Sequence, residues 1–112
     1  MSEIGVIYTA TDARKVTNPE PGMQRQVLAY NPHLMLVRHT FEQGWKGERH
    51  SHPHHQMVYV VRGRIRFQAK GKSWKMRAGD SIVVDGGVEH EAAALEASEV
   101  LDIFTPYRED YA

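Results

Sequence analysis

Four of the seven histidines of this 112-residue chain lie in one short segment, HSHPHHQ, which runs from His50 to Gln56. Neutral imidazole is the commonest side-chain ligand for divalent metals such as zinc, nickel and iron. Residues two apart in a strand point to the same face, so His50, His52 and Gln56 share one face. The segment therefore predicts part of a metal site, with His90, which follows an Asp-Gly-Gly turn, as the distant ligand.

Two alternatives stay open at this segment. Pro53 interrupts strand pairing, and a reset of the register there would bring in His54 in place of one of the four ligands. A solvated, histidine-rich loop that binds metal only adventitiously is the simpler explanation of the segment taken alone. We interpret the isolated His33 and His39 as ordinary surface or packed residues.

A second group of reactive residues lies near the end of the chain, in VLDIFTPYREDYA. Strand parity places Val100, Asp102 and Phe104 on one face, and a buried carboxylate is costly unless it is paired. Beside a metal, Asp102 could act as a general acid/base, Arg108 could hold a substrate carboxylate, and Phe104 could wall the cavity. The structural alternative is an Asp102–Arg108 ion pair, a core Phe104 and a solvated tail.

Short β-rich runs separated by glycine-containing turns must position these residues. The predicted strands are residues 34–41, 57–61, 65–69, 73–76, 81–84, 91–95 and 100–104. Residues 92–97 could pass for a helical turn by propensity, but a strand fits their neighbours better. Strands at this spacing predict an all-β sandwich or barrel.

The N-terminal third is less regular. Residues 17–22 (TNPEPG) predict a loop because of their proline and glycine content. Residues 24–30 are interpreted as an edge strand, or as a strand lent to a partner subunit.

Composition limits the classes of function. The chain length of 112 residues fits one domain, residues 1–112. The 14 basic and 14 acidic side chains balance, which gives no electrostatic signature of a nucleic-acid or membrane partner. There is no cysteine, which excludes disulfides and thiolate sites. Without a secretory signal in the first ten residues or an apolar run of about 18 residues, a cytoplasmic location is expected.

Two spaced motifs resemble those of the cupin superfamily. The first is Gly44, five residues, His50, one residue, His52, three residues, Gln56, six residues, Gly63; the second is Gly79, five residues, Asp85, one residue, Gly87, two residues, His90. The resemblance implies an all-β, jelly-roll-like small barrel of antiparallel strands. It also implies one divalent metal ion, namely zinc, nickel, iron, manganese or cobalt.

The chain departs from the usual cupin motifs at three positions. Gln56, Asp85 and Ala94 stand where these motifs usually have Glu, Pro and Asn. Only the first change touches the metal. A neutral amide leaves the double charge of the ion uncompensated, which favours an anionic ligand.

The Gln56 ligand and the DIFTPYRED segment together resemble the small KdgF-like cupins of pectin degradation, over a stretch from about Arg25 to Tyr111. Such enzymes linearise 4,5-unsaturated monouronates, from pectin or alginate, to 5-keto-4-deoxyuronates. The resemblance implies that Asp102 moves the proton, Arg108 holds the substrate carboxylate and Phe104 positions the ring. His55 stands where the family pattern has Glu, and parity turns it away from the metal. Arg25 is a further candidate for substrate contact, although an exposed strand charge is the simpler interpretation and it is left out of the predicted site.

The expected partners are a small anionic sugar acid and, as in other small cupins, a second copy of the chain in a homodimer. Three other functions compete with the linearising enzyme. They are another cupin enzyme such as an iron-dependent dioxygenase, a non-catalytic module that binds sugar acids, and a structural barrel with an idle metal.

Overall fold

The computed structural model describes residues 5–12 and 15–112. The expectation that the first ten residues form no secretory signal rests in part on residues 1–4, which lie outside this range. The described residues form nine strands: β1 (Lys15–Glu20), β2 (Met23–Asn31), β3 (Leu34–Phe41), β4 (His55–Arg62), β5 (Arg64–Ala69), β6 (Lys72–Arg77), β7 (Ser81–Val84), β8 (His90–Ala94) and β9 (Ser98–Thr105). No helix in these ranges is long and apolar enough to cross a membrane.

The strands form two antiparallel sheets. One has six strands in the order β1-β2-β3-β9-β4-β7, and the other has three in the order β6-β5-β8. Apolar side chains from both sheets meet in one core cluster, which includes Val58 and Val60 from β4, Phe67 from β5 and Met76 from β6. The expected all-β architecture of antiparallel strands is confirmed.

The alternation of side chains along β9 places Asp102 in the interior. Ser98, Val100, Asp102 and Phe104 are buried, whereas Ile103 faces outward. This parity was predicted from the sequence and is confirmed. Since a strand alternates its faces strictly, the apolar neighbours bring Asp102 into the interior with them.

The N-terminal predictions were wrong in two respects. Residues 17–20 belong to strand β1 rather than to a loop. β1 pairs with β2 alone, and its register shifts between Thr17 and Glu20. Pro19 lies within this irregular stretch, and an edge strand tolerates a proline there because no ladder hydrogen bond is lost. Residues 24–30 form most of β2, which pairs with β1 and β3. Since both of its edges are bonded within the chain, β2 is not an edge strand.

The C-terminal tail packs against the larger sheet instead of remaining solvated. Tyr107 stacks on Tyr30 of β2 with ring centroids 5.5 Å apart. Tyr111 meets Phe104 edge-on at 5.6 Å. Both tyrosines pack on a second core cluster that contains Phe104. These contacts hold Arg108, which lies between the two tyrosines in sequence, close to the end of β9.

The turn at Gly63 offers a test of local crowding. Gly63 joins β4 to β5 with φ at 88°, and an added Cβ would lie 2.2 Å from Oγ of Ser98 and 2.4 Å from the carbonyl oxygen of Ala97. Gly44 has φ at 90° but no heavy atom within 4 Å of such a Cβ. Gly44→Ala should therefore cost only about 1 kcal/mol of backbone strain. Gly63→Ala should cost about 2 kcal/mol more, because it also displaces β9.

Urea unfolding of the two variants measures this difference. Their φ values match, so the comparison isolates the clash with Ser98 and Ala97. Equal losses of unfolding free energy in the two variants would contradict the crowding argument.

Candidate metal centre and its cavity

Three histidines from two parts of the chain meet at one point. His50 and His52 precede β4, and His90 begins β8. The backbones of His50 and His90 exchange two hydrogen bonds, of 3.0 and 2.9 Å. One ring nitrogen from each of the three lies within 4.8 Å of the others. This single β-bridge between His50 and His90 thus brings the two distant parts of the chain together.

All three rings are fixed in the same tautomer. Each Nδ1 lies within hydrogen-bond distance of a backbone carbonyl, and a carbonyl only accepts, so each Nδ1 carries the proton. The carbonyl partners of His50, His52 and His90 belong to Glu48, His54 and Val88, at 2.9, 3.0 and 2.8 Å. Each Nε2 therefore presents a lone pair. Nε2 of His90 is buried and has no hydrogen-bond partner among the described residues. Three converging lone pairs suit a divalent cation.

Gln56 extends this donor set. Its Nε2 donates to Oδ1 of Asp102 at 2.8 Å, which turns Oε1 toward Nε2 of His52 at 3.0 Å. Both of these facing atoms are acceptors in this arrangement, so a cation between them would satisfy both. At metal–ligand distances of about 2.0–2.1 Å, two ligands of one ion lie roughly 3 Å apart. The residues present therefore fit a metal ion.

Burial favours the neutral form of two of the histidines. It is the main cause that lowers the pKa of His52, and the positive charge of Arg108 adds to the effect. Burial likewise lowers the pKa of His90, against the hydrogen bond to Val88. Since protons compete with metals for imidazole, both shifts help the site keep its metal in mildly acidic solution.

The same shifts predict how the stability of the metal-free protein depends on pH. Two histidines with lowered folded-state pKa values contribute stability that is fully present above 6.5, the ordinary histidine value. This stability is lost as the pH falls below 6.5 toward the folded-state pKa values, because the unfolded chain then binds more protons. Chemical unfolding between pH 7.5 and about 5.5 measures the loss. A His52→Asn, His90→Asn double variant should show a shallower decline, and an unchanged slope would contradict the assignment.

Asp102 lies in the interior beside this site. It is 3% exposed, and its Oδ2 is 2.7 Å from Nδ1 of His39. Its other oxygen accepts from Gln56. Asp102 therefore pairs with His39 and Gln56, and the expected alternative of an Asp102–Arg108 ion pair was wrong. The carboxylate satisfies its buried charge through these donors.

Arg108 pairs with Asp110 instead. Its Nε and Nη2 donate to the two carboxylate oxygens at 3.1 and 2.9 Å. Burial works to raise the pKa of Asp110, but the hydrogen bonds and charge of Arg108 outweigh it and hold this pKa below its ordinary value. The guanidinium lies 5.1 Å from the Phe104 ring and 4.2 Å from the Tyr111 ring. Within the described ranges Nη1 of Arg108 donates no hydrogen bond, so both of its hydrogens are available to a ligand.

A cavity of about 660 Å³ connects these groups. Its walls include the predicted site residues His50, Gln56, His90, Asp102, Phe104 and Arg108. His52 is 8% exposed and is not one of the wall residues. Metal-ligating, acid/base and cationic side chains therefore face one space that is large enough for a monosaccharide.

Three further residues of this site were missed or set aside at the sequence level. His39 is packed, as expected, but it also bonds to Asp102, and Arg25 donates to it at 3.0 Å. Tyr111 covers Arg25, whose guanidinium carbon is 3.6 Å from the ring centroid. A lone histidine or a terminal tyrosine carries no local signal for such a role. The alternation of β3, which sets His39 on the same face as Val37, was the one usable clue.

The two remaining histidines of the segment lie outside the cluster. His54 is not among the three clustered histidines. His55 is exposed, and its Nδ1 accepts a hydrogen bond from the backbone of Gly86 at 3.0 Å. It therefore faces away from the site, as parity predicted, and fastens the turn before β8 to the histidine segment.

A comparison with known protein families identifies the family to which this chain belongs. A family model described as a cupin domain matches residues 37–104, which include all four predicted metal ligands and Asp102. The chain belongs to the cupin family. The fold and the motif spacing that were expected from the sequence are thus those of the cupin family. No curated protein matches this chain.

Two solved cupin structures are similar over nearly the whole chain. KdgF from Halomonas sp. is 35% identical with a TM-score of 0.88, and the match covers 95% of this chain and all of that one. An RmlC-like cupin from Shewanella frigidimarina is 32% identical with a TM-score of 0.88, covering 94% and 95% of the two chains. Streptomyces Pac13, a nucleoside dehydratase, is 20% identical with a TM-score of 0.78, covering 94% and 87%, and shares the fold alone.

Proposed function

We propose that this cupin is a metal-dependent enzyme that converts 4,5-unsaturated monouronates into linear 5-keto-4-deoxyuronates. The observation that carries the proposal is one cavity lined by the histidine cluster, Asp102 and Arg108. The resemblance to KdgF, at 35% identity, supports the choice of substrate.

His50, His52, Gln56 and His90 would hold the metal. A bound divalent ion would polarise the oxygens of the substrate as a Lewis acid. All four ligands are neutral in the arrangement described, so no carboxylate among the ligands themselves offsets the charge of the ion. It therefore favours a substrate that brings an anion.

Asp102 moves the proton. Ring opening removes the proton of the anomeric hydroxyl, forms the C1 carbonyl and breaks the bond between C1 and the ring oxygen. The electron pair of that bond stays on the ring oxygen, which becomes the oxygen of an enolate at C5. Protonation at C4 then gives the 5-keto product, so one carboxylate that accepts the first proton and returns the second suffices. No oxidant or reductant is consumed.

Arg108 and Phe104 orient the substrate. Nη1 of Arg108 donates to the substrate carboxylate while Asp110 keeps the guanidinium in place through its other nitrogens. Phe104 is 1% exposed and lies at the base of the cavity, where its ring limits the positions that a sugar can take. Holding the carboxylate and the ring together leaves the anomeric side to Asp102 and the metal.

A proton NMR time course with a 4,5-unsaturated galacturonate monomer tests the proposal. The observable is loss of the C4 vinyl proton relative to a sample without enzyme, because the ring also opens uncatalysed. Acceleration by the metal-loaded protein that a chelator abolishes is expected. A metal-loaded protein that gives no acceleration would contradict the enzymatic function and favour a binding module or another cupin reaction, such as that of a dioxygenase.

A further inference from the structure

Four side chains form a hydrogen-bonded row across the larger sheet. Arg25 on β2 lies directly opposite His39 on β3. His39 faces Val100 on β9, two residues from Asp102, and Gln56 on β4 faces Phe104, again two residues from Asp102. Such diagonal neighbours lie within reach of long side chains. The row therefore crosses four consecutive strands and ends at the metal site.

The hydrogen bonds of this row can run in only one direction, from Arg25 toward Asp102. A guanidinium has no acceptor atom, so Arg25 Nε–H must donate to Nε2 of His39, at 3.0 Å. The ring proton of His39 then sits on Nδ1 and is donated to Oδ2 of Asp102 at 2.7 Å. The other oxygen of Asp102 accepts from the amide nitrogen of Gln56 at 2.8 Å. The amide oxygen of Gln56 is consequently the atom that faces His52.

Burial keeps water from competing for the hydrogen bonds of this row. His39 is 6% exposed and Asp102 is 3% exposed. Tyr111 lies over Arg25 and meets the His39 ring edge-on at 6.2 Å. A flipped Gln56 would turn its oxygen to the carboxylate of Asp102 and its NH₂ group to the metal ligands. The first contact is repulsive, and an NH₂ group cannot bind a cation, so the row keeps Gln56 in the orientation that serves the metal site.

We infer that Arg25 and His39 are positioning residues for the metal centre, which act through Asp102 to keep the oxygen of Gln56 directed at the ion. The inference rests on the proposed ligand set but not on the uronate reaction. Partners that orient metal ligands typically contribute 10- to 100-fold to metal affinity. The substitution His39→Leu should therefore weaken metal binding by roughly that factor. In contrast, His39→Asn should largely retain binding, because its amide nitrogen can replace Nδ1 as the donor to Asp102.

The charge of Arg25 makes the second variant informative. Arg25→Met removes a positive charge near a cation site, and electrostatics alone would then tighten metal binding. The positioning role predicts the opposite, a several-fold weaker affinity, because His39 loses the hydrogen bond that holds its ring against Asp102. Arg25→Lys keeps both the charge and a donor and should stay near the wild-type affinity.

Competition of Co²⁺ between the protein and a chromophoric chelator measures these affinities without substrate. The matched control is His33→Asn, which changes an exposed histidine outside the row. Each variant is also made in a Gln56→Ala background, where no amide remains to be oriented and the substitutions at positions 25 and 39 should no longer weaken metal binding.

Three results would overturn the inference. They are a His39→Leu affinity within twofold of wild type, tighter binding by Arg25→Met, and equal losses with and without Gln56. If His39→Leu does not fold, Arg25→Met and His39→Asn in the two backgrounds still decide. Failure of the uronate assay alone leaves these affinities unchanged, and a wild-type protein that binds no Co²⁺ would remove the metal site and the inference together.

Discussion

Replacing Asp102 with alanine should slow uronate linearisation by about 10²- to 10⁴-fold, the range that a positioned general acid/base contributes. Asp102 is buried, lines the cavity and lies one hydrogen bond from the proposed ligand Gln56. In the described cavity wall, no other carboxylate is so deeply buried beside the histidine cluster. Without it, proton transfer from the anomeric hydroxyl and to C4 would depend on water.

The rate is measured by loss of the vinyl proton at saturating metal, so that a change in metal affinity does not enter turnover. Asp85→Ala is the matched control, because it removes an exposed carboxylate from the turn after β7. The control should keep the wild-type rate. Full activity in Asp102→Ala, with metal bound, would refute the proton-transfer role and leave Asp102 as part of the row that orients Gln56.

Replacing His90 with alanine should weaken metal binding by more than about 100-fold, beyond the range for residues that only orient ligands. The neutral ring of His90 has a buried Nε2 with no other partner in the described ranges, so its removal deletes a lone pair that no neighbour replaces. Activity should fall with metal occupancy. A chelator should have the same effect on the wild-type protein.

Thermal unfolding tests the same prediction without a substrate. Metal at 100 times its dissociation constant stabilises a folded protein by about 2.7 kcal/mol. Wild type should gain this stabilisation, and His90→Ala should lose nearly all of it at the same metal concentration. His54→Ala is the comparison variant. If His54→Ala loses the stabilisation while His90→Ala keeps it, the ligand set is wrong and the register-reset alternative for Pro53 is right.

Much of the fold was predictable because its signals are local. The predicted bounds of β3 and β7 match the structure, and those of the other predicted strands differ by at most two residues at either end. Glycine-containing turns and strict alternation mark these elements in any short window of sequence. The N-terminal errors arose where local composition competes with pairing. Pro19 and Pro21 are typical of a loop, yet β1 exists because β2 supplies the hydrogen bonds along one of its edges.

The sequence by itself determined which residues could bind a metal and which face of each strand carries them. Spacing and parity require only the chain, and both His50/His52 and Asp102 followed from them. The tertiary structure alone decided the partners of these groups. Asp102 bonds to His39 rather than to Arg108, because the register between β3 and β9 sets Asp102 opposite Val37, which makes His39 its diagonal neighbour across the sheet. Contacts between residues 63 positions apart leave no trace in local pattern, since only the paired sheet brings them together.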